Sequence, residues 1–272
     1  MVVMDERPIG MFDSGFGGLT VARAVIDLLP NENLVYLGDT ARYPYGGRSL
    51  DEVLTFSCQI ACHLIERYDI KMLVVACNTA TAAALEELRR EFEFPVVGVV
   101  GPGVDALRKA TMSGIVGVIG TVGTIESGAY RRAMTQVAPA IELVDCACPG
   151  LVELVERGVT SGREVELLAA RLLAPIVAAG VDALLLGCTH YPYLARVISD
   201  VVGREVVLVS SADETAFALA DLLSGHRLRN PEYELEGSRH FVSSGDLRNF
   251  VKLGSRLLGP ELVDAERWTP TR

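Results

Sequence analysis

Residues 72–81 read MLVVACNTAT. Five apolar residues in unbroken succession, without the alternation of a half-buried strand, fit a strand covered on both faces, as in a parallel sheet flanked by helices. The run ends on Cys77, and an alanine-rich segment of helical period follows it to Glu91. Residues 183–192, ALLLGCTHYP, repeat the phrase: an apolar run, a cysteine, then small polar residues.

Working outward from these two stretches, short apolar runs alternate with longer helical segments along the chain, the pattern of an α/β protein. Strands are expected at 9–12, 34–37, 72–76 and 96–100, and again at 115–119, 141–144, 183–186 and 206–209. Matched members of the two series start 106–111 residues apart. That near-constant offset predicts two halves built on one βαβ plan, each a parallel-sheet α/β domain, with a cleft between them. Helices are expected at 19–29, 50–68, 80–91, 104–110, 126–137, 151–156, 163–179, 193–202 and 212–224. The polar stretch GHRLRNPEYELEGSRH reads as a loop, and FVSSGD as one more strand before a last helix.

The 272 residues are half hydrophobic and 22% charged, enough to bury a sizeable core. A net charge of -10 disfavours a non-specific nucleic-acid binder, which needs a basic face. The first thirty residues carry acids and glycines where a signal peptide needs a continuous apolar core. No apolar run reaches the roughly 20 residues that cross a bilayer. A cytoplasmic protein without a membrane segment is expected, and six cysteines are too sparse for a disulfide scaffold.

Cys77 and Cys188 hold equivalent places in the two series, so both should face the cleft. A cysteine at a carboxyl strand end before a helix has a lowered thiol pKa, below the reference of about 8.5. Two thiols on opposite walls suit inversion at a carbon: one takes a proton from one face, the other returns a proton to the opposite face. Asn78, Thr79 and Thr189 follow the cysteines and can donate hydrogen bonds to a substrate carboxylate. His190 stands two residues after Cys188, where it can tune that thiol or serve as a loop histidine.

FDSGFGG, residues 12–18, places glycines, Asp13 and Ser14 between a strand and a helix. It either receives an anion or is a glycine turn capped by Asp13. YLGDTARYPYGGRS, residues 36–49, makes Tyr45 and Gly46 candidate ligand contacts, or parts of a rigid turn. Zinc on Cys77, Cys188 and His190 lacks an evident fourth ligand, and a hydrolase using Cys77 with His190 leaves Cys188 idle. Cys58 and Cys62, four apart on a helix, read as core-facing; Cys146 and Cys148 read as structural. The lysines are Lys71, Lys109 and Lys252, none at a glycine-rich strand end, so no pyridoxal phosphate or other cofactor is expected.

FDSGFGGLTV, YLGDTARYPYG, VVACNTATA, GVVGPGV, VIGTVGTIES and LLLGCTHYPYL, in this order, resemble the glutamate racemases of the cofactor-independent aspartate/glutamate racemase superfamily. The likeness runs from about Ile9 to Leu194, with more at VSSADETA. It implies interconversion of L- and D-glutamate, the D-isomer serving peptidoglycan synthesis, by a homodimer. It implies that Cys77 and Cys188 are the two acid/base groups, assisted by Asp13 and His190. Substrate binding falls to Asp13, Ser14, Tyr45, Gly46, Asn78, Thr79, Thr189 and His190. A further assisting acid maps to Glu156 in LVELVERG, with Glu153 its neighbour and alternative. The fold implied returns at its end to the first half, dividing the chain into 1–100 plus 211–272 and 101–210. An aspartate racemase, or another carbon-acid racemase of this fold, is the alternative; the aspartate branch is expected to carry an acid where His190 stands.

Overall fold

The computed structural model describes residues 5–226, 228–230 and 235–270. The strands are β1 (Ile9–Asp13), β2 (Leu34–Gly38), β3 (Met72–Val75), β4 (Val96–Gly98), β5 (Ile115–Gly120), β6 (Glu142–Ala147), β7 (Ala183–Gly187), β8 (Val207–Val209), β9 (Arg239–Ser243) and β10 (Glu266–Arg267). They form two sheets, ordered β10-β9-β2-β1-β3-β4 and β6-β5-β7-β8, with every pairing parallel. Within the first sheet the run β2-β1-β3-β4 has the same order as β6-β5-β7-β8, each strand matched by the one four later. The repeat expected from the strand offset is thus a repeat of topology.

Both faces of β1 to β4 are buried, which is why these strands of the first sheet read as unbroken apolar runs. Ile9, Met11, Leu34, Tyr36, Met72 and Val74 pack into one core, while Phe12, Val35, Leu37, Leu73 and Val75 pack into another on the opposite face. The second sheet is sandwiched in the same way, with Ile119, Leu184 and Leu186 on one side and Val116, Val118 and Leu185 on the other. After β8 the helix Ser211–Gly225 crosses back, placing Ala212, Ala216, Leu219 and Leu223 in the core that holds Leu19, Val21 and Val25 of the helix Leu19–Leu28. β9 then extends the first sheet beyond β2, with β10 outside it. Of the polar stretch expected to be a loop, residues 227 and 231–234 lie outside the described residues.

Several boundaries differ from the sequence reading. β3 stops at Val75 and β4 at Gly98, because Cys77 and Val99 already act as caps of the helices Asn78–Glu91 and Val100–Ala110. The helix expected over 126–137 is two, Val122–Glu126 and Ala129–Val137, separated by Gly128 in the left-handed region at φ 67°. The helix expected over 163–179 breaks at Leu173, since Pro175 cannot donate the hydrogen bond that would continue it. Cys58 and Cys62 are half-buried, and Cys58 packs against the core that holds Phe12 and Leu37, as a core-facing position should.

Asp182, at the start of β7, clamps the turn before β5. Its carboxylate accepts from Thr111 Oγ1, the Met112 amide and the Ser113 amide, each at 2.6 Å. Desolvation opposes the charge, but these hydrogen bonds prevail and hold the carboxyl at about 2, below its ordinary value of 3.8. A depressed folded-state pKa contributes stability that is complete above the unfolded value and is lost as pH falls through the folded one. Asp182→Asn should therefore lower the melting temperature at pH 7, and the gap from wild type should close between about pH 4 and pH 2. Calorimetric melting at stepped pH measures it; a gap that stays constant would contradict the clamp.

Candidate active site

The carboxyl ends of both sheets surround a cavity of about 100 Å³. Ser14, which follows β1, and Cys77, Asn78 and Thr79, which follow β3, form one side; Cys188, Thr189 and His190, which follow β7, form the other. Register explains the placement. Phe12 pairs with Val75 and Gly120 with Gly187, so two steps on Cys77 lies beside Ser14, and one step on Cys188 lies beside Thr121. The two thiols therefore leave equivalent strands at equivalent heights.

Cys77 caps the helix Asn78–Glu91, and its Sγ receives the Ala80 amide at 3.5 Å and lies 3.8 Å from Ser14 Oγ. Helix-end donors favour a thiolate. Burial outweighs them: it pushes the Cys77 thiol up to about 12, with the nearby Asp13 charge adding to the rise and the Ala80 and Ser14 donors opposing it. Cys188 is raised further, again chiefly by burial, opposed by the His190 amide and reinforced by Cys77, Asp13 and Glu156. The expected lowering of both thiols is thus overturned, because desolvation at 5% and 6% exposure exceeds the effect of the donors. The two ends also differ: a 3₁₀ turn, Tyr191–Leu194, follows Cys188 before the helix Ala195–Val202, so no α-helix begins at this thiol.

His190 is buried, and that burial pushes its imidazole below the usual range, leaving it neutral at pH 7. Its Nδ1 lies 3.7 Å from Cys188 Sγ and its Nε2 lies 2.9 Å from the Tyr43 hydroxyl. Asp13 is fully buried; its Oδ2 accepts from the Gly15 and Gly18 amides at 3.2 and 2.9 Å, while Oδ1 has no hydrogen-bond partner. The glycine turn is therefore occupied by the chain's own carboxylate, with one oxygen left over.

Asn78 accepts the Tyr130 hydroxyl on Oδ1, and its buried Nδ2 has no partner. Thr79 shares hydroxyl contacts of 3.0 and 3.1 Å with Thr121 and Thr124, which come from the second half. Tyr45 and Gly46 line the cavity, but the Tyr45 hydroxyl is bonded to Asp39 and so is not available to a ligand. Glu153 lines the same cavity. Glu156 instead lines a neighbouring groove with Phe16, Tyr43, Tyr193 and Leu257, where desolvation raises its carboxyl to about 7; His190 and Tyr43 form the wall common to both spaces.

The halves meet closely around the cavity. A Cβ on Gly17 would overlap the Thr189 side chain, and one on Gly46 would stand 2.7 Å from Thr121 Cβ. The Gly123 amide donates to the Gly46 carbonyl at 3.2 Å across the same seam. Sequence reasoning did not single out Tyr43, Thr121, Thr124 or Tyr130, and it set Cys148 aside as structural although this thiol also lines the cavity. Thr121 was discoverable, since it holds in the second half the place of Ser14 in the first. Among the described residues no three His, Cys, Asp or Glu side chains converge as a metal-ligand set.

A two-fold α/β repeat with a buried thiol at each matched strand end defines a known class. The sequence profile of the Asp/Glu/Hydantoin racemase family matches residues 20–218, and the chain belongs to that family. Within it, similarity is high to glutamate racemases: that of Geobacter metallireducens is 49% identical over 261 residues, covering 96% of each chain. Among solved structures, a glutamate racemase isoform of Bacillus anthracis superposes with a TM-score of 0.91 at 37% identity, covering 98% of each chain. The glutamate racemase of Francisella tularensis in complex with D-glutamate does so at 0.90 and 34%, covering 97% of this chain and 98% of that one.

Proposed function

We propose that this protein interconverts L- and D-glutamate without a cofactor, with Cys77 and Cys188 as the two acid/base groups. The observation that carries the reading is that both buried thiols border one cavity from matched strand ends of the repeat. One sulfur, as thiolate, removes the Cα proton and becomes a thiol. The other, as thiol, delivers its proton to the opposite face and becomes the thiolate, so the next turnover in the reverse sense uses the same pair.

Neutral thiols are the resting state of so buried a pair, so the reaction needs a way to form one thiolate. Asp13, whose Oδ1 has no hydrogen-bond partner and whose charge acts on both thiols, and neutral His190, whose Nδ1 lies 3.7 Å from Cys188, are the groups assigned to accept or steer a thiol proton. The substrate ammonium adds a cation between the sulfurs, which favours the thiolate where water cannot. Ser14, Asn78, Thr79 and Thr189 supply donors to the carboxylates, with Tyr45 and Gly46 contributing backbone at the rim. Glu156, half-titrated near pH 7 and bordering the groove behind His190, is suited to exchanging the imidazole's proton with solvent.

The domain division 1–100 plus 211–272 against 101–210 follows on this reading, with closure of the two bodies over the substrate. So do a homodimer, a cytoplasmic location and supply of D-glutamate to peptidoglycan synthesis. No helix among the described residues is long and apolar enough to cross a membrane. Incubating the purified protein with L-glutamate and no pyridoxal phosphate, then separating enantiomers on a chiral column, tests the activity. D-glutamate should approach equimolar amounts; folded protein that forms none would refute the proposal.

A further inference from the structure

We propose that Tyr130 is a positioning residue of this reaction, setting the polarity of the substrate pocket through Asn78 and seating the strand end that carries Cys188. The inference rests on the function proposed above. Tyr130 lies in the helix Ala129–Val137 of the second half and is 1% exposed. Its hydroxyl reaches across the seam to Asn78 Oδ1, the residue directly after Cys77. Its ring lies against Gly187, where a Cβ would stand 3.2 Å from the ring edge, directly before Cys188. One side chain thus touches the residue after one thiol and the residue before the other.

The hydrogen-bond inventory gives this contact a direction. A buried tyrosine hydroxyl has one hydrogen to place, and among the described residues Asn78 is the acceptor it finds. Placing it there turns the carbonyl end of the amide towards Tyr130 and leaves Nδ2, the buried donor of a residue that lines the cavity, as the end without a partner. Rotating the amide by 180° would strand the tyrosine hydrogen and present a carbonyl oxygen to the cavity instead. A buried donor with no partner costs free energy until something accepts from it. A carboxylate accepts, and an ammonium cannot. Tyr130 therefore keeps this corner of the pocket ready for an anion from behind Asn78, without itself being among the lining residues of the cavity.

The test is a double-mutant cycle with Tyr130→Phe and Asn78→Ala, read as KM and kcat in both directions and as glutamate affinity by calorimetry. Tyr130→Phe keeps the ring against Gly187 and frees the amide, so KM should rise about tenfold while kcat changes less than about threefold, matching loss of one hydrogen bond to a charged group. In the Asn78→Ala background the same change should have almost no further effect on KM. Equal losses in both backgrounds, or no loss in the wild-type background, would overturn the proposal. Asn78→Asp supplies a second reading: it keeps an acceptor for Tyr130 but faces the cavity with oxygen, and should weaken glutamate more than Asn78→Ala does. Weaker binding by Asn78→Ala than by Asn78→Asp would also overturn it. Should wild type bind glutamate without racemising it, the proposed activity falls, while the calorimetric cycle still decides the role of Tyr130.

Discussion

Serine in place of either Cys77 or Cys188 is expected to lower kcat/KM for racemisation by about 10²–10⁴-fold, the usual contribution of one positioned acid/base group. A serine hydroxyl fills nearly the same space but ionises far less readily than a thiol, so one face of the Cα loses its proton carrier. Because the two enantiomers have equal free energy, kcat/KM must fall equally in both directions. The asymmetry appears elsewhere. In deuterated water each variant keeps one sulfur, and should exchange the Cα hydrogen only of the enantiomer that points it at that sulfur. Proton NMR of each enantiomer should show opposite preferences for Cys77→Ser and Cys188→Ser. Near wild-type racemisation by either variant would contradict the assignment of two bases.

The largest expected effect on stability lies away from the site, at Lys71. Its ammonium, fully buried, donates to Glu32 Oε2 and to the Asp5 carbonyl, each at 2.6 Å. Glu32 in turn accepts the Asn230 amide at 2.9 Å on its other oxygen, so the pair ties the start of β3 to the loop before β2 and to the segment after the returning helix. Lys71→Met leaves the Glu32 carboxylate buried without a counter-charge and should cost about 3–5 kcal/mol. Pairing it with Glu32→Gln should recover part of the loss, because the uncompensated charge is gone. Urea unfolding should give a lower midpoint with an unchanged slope. A loss below about 1 kcal/mol in the single variant would contradict this account of the pair.

The strands were legible because both sheets are covered on both faces, which turns each central strand into an apolar run. β10 was not, since Glu266 and Arg267 are exposed and charged and pair only with β9. The breaks at Gly128 and Leu173 escaped notice because apolar spacing continued through them. Cys77 and Cys188 stood out by position in a repeat, which is a sequence property. Their titration did not follow from position: a helix end argues for a lowered thiol pKa, and only the closed surroundings show burial winning. Tyr43 and Tyr130 were invisible for another reason. Their partners His190 and Asn78 lie 147 and 52 residues away, and no local pattern marks a tyrosine that bonds across a seam.

The measurement that bears most directly on a two-sulfur mechanism is the early-time isotope content of both glutamate pools in deuterated water. Starting from unlabelled L-glutamate, the D-glutamate formed should carry deuterium at Cα from its first appearance, because its hydrogen comes from the sulfur that exchanged with solvent. The remaining L-glutamate should at first carry mainly protium, since in the two-sulfur enzyme the carbanion is captured from either face before the thiol on its own side exchanges with solvent, whereas a one-sulfur variant gives that thiol time to exchange. The same must hold with D-glutamate as the starting enantiomer. Protium carried from substrate into product would mean that a single group serves both faces, and would contradict the assignment of Cys77 and Cys188.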